Sequence, residues 1–119
     1  MKLVLPWPNR RLSPNARLHY MHKARVVREA REFAGWETLK QLPDAVRQSI
    51  AHGEDAIAVK IAFYPPDKRH RDDDNMLAMF KSYRDGIADG LKVNDRRFKP
   101  HYFFEEAEKP GRVEVIFGE

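Results

Sequence analysis

Ala56-Ile57-Ala58-Val59-Lys60-Ile61-Ala62-Phe63-Tyr64 is the stretch on which the fold turns. Ile57, Val59, Ile61 and Phe63 occupy alternate positions and share one face of an extended chain, which predicts a half-buried strand. Pro65-Pro66 stops it, because a proline cannot donate to a ladder. A charged segment, Asp67-Lys68-Arg69-His70-Arg71-Asp72-Asp73-Asp74-Asn75, then joins this strand to an amphipathic helix. The helix is predicted from Asp74 or Asn75 to about Asp89, with Met76, Phe80, Tyr83 and Ile87 as its core stripe and Gly90 as its stop. After a turn around Asn94, strands are predicted near His101 to Glu106 and Arg112 to Phe117. Lys109-Pro110-Gly111 is predicted to make the hairpin turn between them.

On the N-terminal side, Lys2 to Leu5 predicts a short strand ending at Pro6-Trp7-Pro8, followed by loop over residues 9 to 18. A helix is predicted from about His22 to Gln41. Its apolar stripe is Val26, Ala30 and Phe33, flanked by Val27, Ala34 and Trp36, which assigns Trp36 to the core. Pro43 opens a second short helix that ends near Gly53. The order β-α-α-β-α-β-β predicts an α+β fold, a two-layer sandwich with helices on one face of a mixed β-sheet. A chain of 119 residues suits a single domain over 1–119.

The chain has no cysteine, which removes disulfides, thiolate zinc sites and cysteine nucleophiles and fits a reducing compartment. The apolar run Met1-Lys2-Leu3-Val4-Leu5 is too short for a signal peptide or a membrane span, so a cytoplasmic protein is expected. The formal charge is +4, and much of the excess is N-terminal. Lys2, Arg10, Arg11, Arg17, Lys23, Arg25, Arg28 and Arg31 face only Glu29 within the first 31 residues. That bias suits a polyanion, because each neutralised phosphate releases counterions; a solvated basic face is the plainer alternative.

Asp72, Asp73 and Asp74 carry the chemistry. If residues 72 to 74 are extended, Asp72 and Asp74 project to one side and Asp73 to the other. Two neighbouring carboxylates suit Mg²⁺, which prefers oxygen ligands and keeps several waters. Basic residues just before them would hold a phosphate there, the combination that metal-assisted phosphodiester hydrolysis needs. A helix cap would account for one aspartate, not for three that repel one another. An EF-hand is excluded by the missing glycine and terminal glutamate.

Arg71-Asp72-Asp73-Asp74-Asn75, preceded by Pro66-Asp67 and a basic run, resembles the signature of RusA-type Holliday junction resolvases. Leu5-Pro6-Trp7-Pro8 followed by Ser13-Pro14-Asn15 is similar to that family's start. Asp95, in Val93-Asn94-Asp95, falls where the family places its third essential aspartate. The resemblance implies a homodimeric, Mg²⁺-dependent endonuclease that nicks four-way DNA junctions symmetrically, with Asp72, Asp74 and Asp95 as metal ligands. Two departures stand out. Ala78 occupies the position of the family's lysine, and Lys81, on the same helix face, is taken as its substitute. Asn94 stands where the family often has another acid.

Arg69, His70, Arg71, Arg96 and Arg97 are the expected phosphate contacts near the site, with Arg10, Arg11, Arg17 and Lys23 on the basic arm. His19 and His22 lack the partners of a zinc site. Asp85 is expected to pair with Lys81 at i,i+4 rather than to form, with Asp89, a second metal site. Phe98, beside Arg96-Arg97, is the expected wedge against junction bases, and Trp7 fits either role. The sequence therefore predicts a junction-resolving nuclease with no organic cofactor. A flap or single-strand nuclease, or a non-catalytic basic DNA-binding protein, are the alternatives.

Overall fold

The computed structural model describes residues 1–118, and the chain is an α+β two-layer sandwich. The elements in order are β1 (Lys2–Pro6), α1 (Tyr20–Gln41), α2 (Asp44–Ala51), β2 (Ile57–Tyr64), α3 (Asp73–Leu91), β3 (Phe98–Phe104) and β4 (Arg112–Phe117). Short 3-10 turns occupy Arg10–Leu12 and Asp95–Arg97. The mixed sheet has the order β1-β4-β2-β3. Ile57, Val59, Ile61 and Phe63 face the helices together with Leu3, Leu5, Val113, Val115 and Phe117, and all are buried. From α3, Met76, Phe80, Tyr83 and Ile87 close the same core. Among the described residues no helix is long and apolar enough to cross a membrane.

The predicted hairpin is not formed. β3 pairs parallel to β2, Ile57 opposite Phe98, while β4 pairs antiparallel to both β2 and β1. The reason is α3: a helical crossover returns the chain in the direction it came from, so the next strand lies parallel to β2. The link from β3 to β4 then crosses the end of β2, where the Glu105 and Glu108 amides donate to the Phe63 and Pro65 carbonyls. Gly111 does turn the chain there, at φ 89°, and a Cβ would press on the Pro66 ring at 2.9 Å.

α1 starts at Tyr20, where the His19 side chain accepts the Met21 amide. Its buried line differs from the predicted stripe. Ala34 and Thr38 are buried, whereas Phe33 is 40% and Trp36 72% exposed. The cause lies across the interface, in α3. A Cβ on Gly86 would stand 2.1 Å from the Arg31 carbonyl oxygen, and one on Gly90 would stand 2.8 Å from the Thr38 Cβ. The two helices meet along small residues, so the large aromatic groups turn outward. Gly86→Ala should therefore destabilise the protein by about 1–3 kcal/mol through overpacking against a backbone oxygen, although alanine is the better helix former. A thermal melt lowered by roughly 5 °C or more checks this; an unchanged melt would contradict the close seam.

Candidate active site

α3 begins at Asp73, one residue earlier than predicted, so only Asp72 is extended, at φ −72° and ψ 137°. Asp72 and Asp74 are therefore not alternate residues of a strand. Asp72 is the N-cap position, and Asp74 lies in the first turn. Asp72 does not act as a cap, since its carboxylate makes no hydrogen bond to the helix. It lies 3.3 Å from His70 Nε2 and its side chain is 70% exposed. Asp73 and Asp74 are exposed first-turn acids at the positive end of the helix dipole.

The loop before them is built from its own side chains. Asp67 accepts the Arg69 amide at 3.0 Å and an Arg71 N–H at 2.9 Å. The Arg69 amide, followed by the Arg71 guanidinium, holds the Asp67 carboxyl below the usual carboxylate range. Arg71 also donates to the Asp67 and Arg69 carbonyls and lies over the Trp7 ring, 5.5 Å from its centroid. This arginine shapes the loop, and its fork is engaged within the protein. Arg69 and His70 point outward and stay exposed.

Asp72, Arg69, His70 and Arg71 line a cleft of about 680 Å³, with Arg10, Ser13 and Asn15 on the opposite wall. The two motif fragments that lie far apart in the sequence thus face each other. Lys23 anchors that wall to α1, donating at 2.9 Å to both the Arg11 and Ser13 carbonyls. Lys23 is therefore a positioning residue in this structure, whereas Arg10, Arg11 and Arg17 are exposed.

Asp95 lies elsewhere along α3. Lys81 Nζ donates to Asp85 at 2.6 Å and to Asp95 at 3.4 Å. Its ammonium pKa is raised, first by the Asp85 hydrogen bond, so it stays charged at neutral pH. Asp74, Ala78, Lys81 and Asp85 form one outward row on α3, and seven residues separate Asp74 from Lys81, about 10 Å along the axis. Asp72, Asp74 and Asp95 are therefore not drawn to one point. Among the described residues no three His, Asp or Glu side chains converge as a cation site. Ala78 leaves the row low between Asp74 and the Lys81–Asp95 pair.

Other expectations change with the fold. Arg97 donates to the Ala51, His52 and Asp55 carbonyls, closing the end of α2 instead of reaching outward. Arg96 remains exposed. Phe98 is 7% exposed and belongs to the core, which removes it as a wedge. Asp89 accepts from Arg31 Nε and Nη2, at 2.6 and 2.9 Å. Sequence reasoning passed over Arg84, which donates to the Asp95 carbonyl at 3.3 Å. Its place three residues after Lys81 was the available signal.

The donor set still suits a hard divalent cation. Mg²⁺ is commonly held by one or two carboxylates, with water and substrate phosphate completing its shell. Asp72 is the aspartate of the triplet that lines the cleft, whereas Asp74 lies outside it in the first turn of the helix. Asp95 is engaged by Lys81 instead.

No protein-family model matches the chain. It is 44% identical over 121 residues to a protein of Xylella fastidiosa (strain Temecula1) described as uncharacterized, covering 95% of this chain and 72% of that one.

Proposed function

The chain belongs to the family of that Xylella fastidiosa protein, whose description carries no activity, and from the site itself we propose a Mg²⁺-dependent endonuclease that resolves four-way DNA junctions. One observation carries the reading: Asp72 is uncapped and faces Arg10, Ser13 and Asn15 across an open cleft. An acid held only for helix capping would bond to the first-turn amides. The resemblance of these residues to the RusA-type signature supports the junction as substrate.

A bound Mg²⁺ would polarise a phosphate oxygen and activate water for attack. Asp72 and Asp74 would hold it. Arg10, Arg69 and His70 would seat the DNA backbone beside it, and Arg71 and Lys23 keep the cleft walls in place. Lys81 would meet the charge that builds at the scissile phosphate, at the far end of the low stretch over Ala78. Paired symmetric nicks then require two copies related by a two-fold axis, in a cytoplasmic protein. Light scattering is expected to show a dimer at micromolar concentration; a monomer that still nicks symmetrically would remove this part of the reading.

A panel of four-way, flap, single-stranded and linear duplex substrates with Mg²⁺ tests the assignment. Preferential cutting of the four-way junction supports it. Preference for flaps or single strands would move the same site to another substrate. Binding with no cutting of any member would leave a DNA-binding protein.

A further inference from the structure

Tyr20 is 75% exposed at the first position of α1, although it is a large ring that burial would favour. The His19 imidazole accepts the Met21 amide, and the Tyr20 ring lies against it, tilted by 31° with centroids 4.5 Å apart. The loop carrying Arg10, Arg11 and Arg17 is tied to this turn by Lys23, which bonds the Arg11 and Ser13 carbonyls. The same loop forms one wall of the Asp72 cleft. An outward aromatic pair therefore opens the helix to which this loop of exposed guanidinium groups is tied, and Arg10 of the same loop lines the candidate site.

We propose that Tyr20, backed by His19, is a stacking platform for an unpaired DNA base whose backbone passes Arg10, Arg11 and Arg17 on its way to Asp72. The inference rests on the nuclease reading and adds to it the feature of the substrate that is recognised. Aromatic faces accept any base, and the arginines neutralise phosphates without regard to sequence. A tyrosine ring has few rotatable bonds, so little side-chain freedom is lost on stacking. A paired base inside a duplex offers no free face, so the platform separates opened DNA from intact duplex.

The test is fluorescence anisotropy with labelled oligothymidylate and with a blunt duplex, in EDTA so that nothing is cut. Tyr20→Ala should weaken oligothymidylate binding about 10-fold, the effect of losing one stacked base, and leave duplex binding within twofold. Tyr20→Trp should restore it. Equal weakening on both probes, or no weakening on oligothymidylate, would overturn the platform while leaving the nuclease reading intact. Wild-type protein that does not bind oligothymidylate would likewise overturn the platform, whereas failure to bind a labelled four-way junction as well would overturn the nuclease reading. Tyr20 makes no core contact, so a matching thermal melt confirms that the variant is folded.

Discussion

Asp72→Asn is expected to reduce cleavage of a four-way junction by about 10³-fold while leaving junction binding unchanged or slightly tighter. The carboxylate and the amide have nearly the same shape, so the cleft facing Arg10, Ser13 and Asn15 keeps its form. What changes is charge. An amide is a poor ligand for Mg²⁺, and stabilisation of the transition state goes with the metal. Binding behaves in the opposite sense, because removing a negative charge beside DNA relieves repulsion. Stability should not move, since Asp72 makes no capping hydrogen bond and asparagine is itself favoured at that position. Turnover, binding and melting measured on one preparation separate these effects. Near-normal turnover at saturating Mg²⁺ would remove Asp72 from the site.

Lys81→Ala is the second large effect, expected to lower the rate about 10²-fold, comparable to the loss of one oxyanion-stabilising donor. Lys81 is bracketed by Asp85 and Asp95 and is 57% exposed. If those pairs were only surface ion pairs, the variant would lose about 0.3–0.5 kcal/mol of stability and no activity. If the ammonium serves the scissile phosphate, kcat falls and binding falls only slightly, because one phosphate contact among many contributes little. Adding Ala78→Lys to this variant returns an ammonium to the same face, one turn nearer Asp74. Recovery of rate in the double variant would show that the face requires the charge. Unchanged turnover in Lys81→Ala alone would dismiss it.

The sheet-forming alternation of β2 and the core stripe of α3 were legible because each buries a regular set of large residues against the other. Trp36 was not. Counting apolar residues favours large side chains, whereas the α1–α3 seam is made by Ala34, Thr38, Gly86 and Gly90. A pattern of small residues carries no amphipathic signal until its partner helix is known. The hairpin failed for a related reason: Lys109-Pro110-Gly111 specifies a turn and says nothing of which strand lies beside it. Phe98 was displaced by the same topology, since pairing with Ile57 makes it the first buried residue of β3.

At the candidate site, the residue types were legible and their spacing was not. Asp72, Ser13 and Asn15 come together in the cleft, whereas Asp73 and Asp74 do not line it. Asp95 is set apart because two turns of α3 separate Asp74 from Lys81, and Lys81 draws Asp95 to itself. Arg97 and Arg71 show the limit of reading basic residues as phosphate contacts. Arg97 spends its donors on backbone carbonyls and Arg71 on carbonyls and the Asp67 carboxylate, and only the folded chain reveals where those acceptors lie.

Cleavage of a labelled four-way junction, followed as Mg²⁺ is titrated from zero, is the decisive measurement for a metal-dependent resolving nuclease. No nicking is expected without the metal, saturable nicking with it, and products cut at symmetric positions in opposing strands. Junction binding with no nicking at any Mg²⁺ concentration, or nicking that persists fully in EDTA, would contradict this reading.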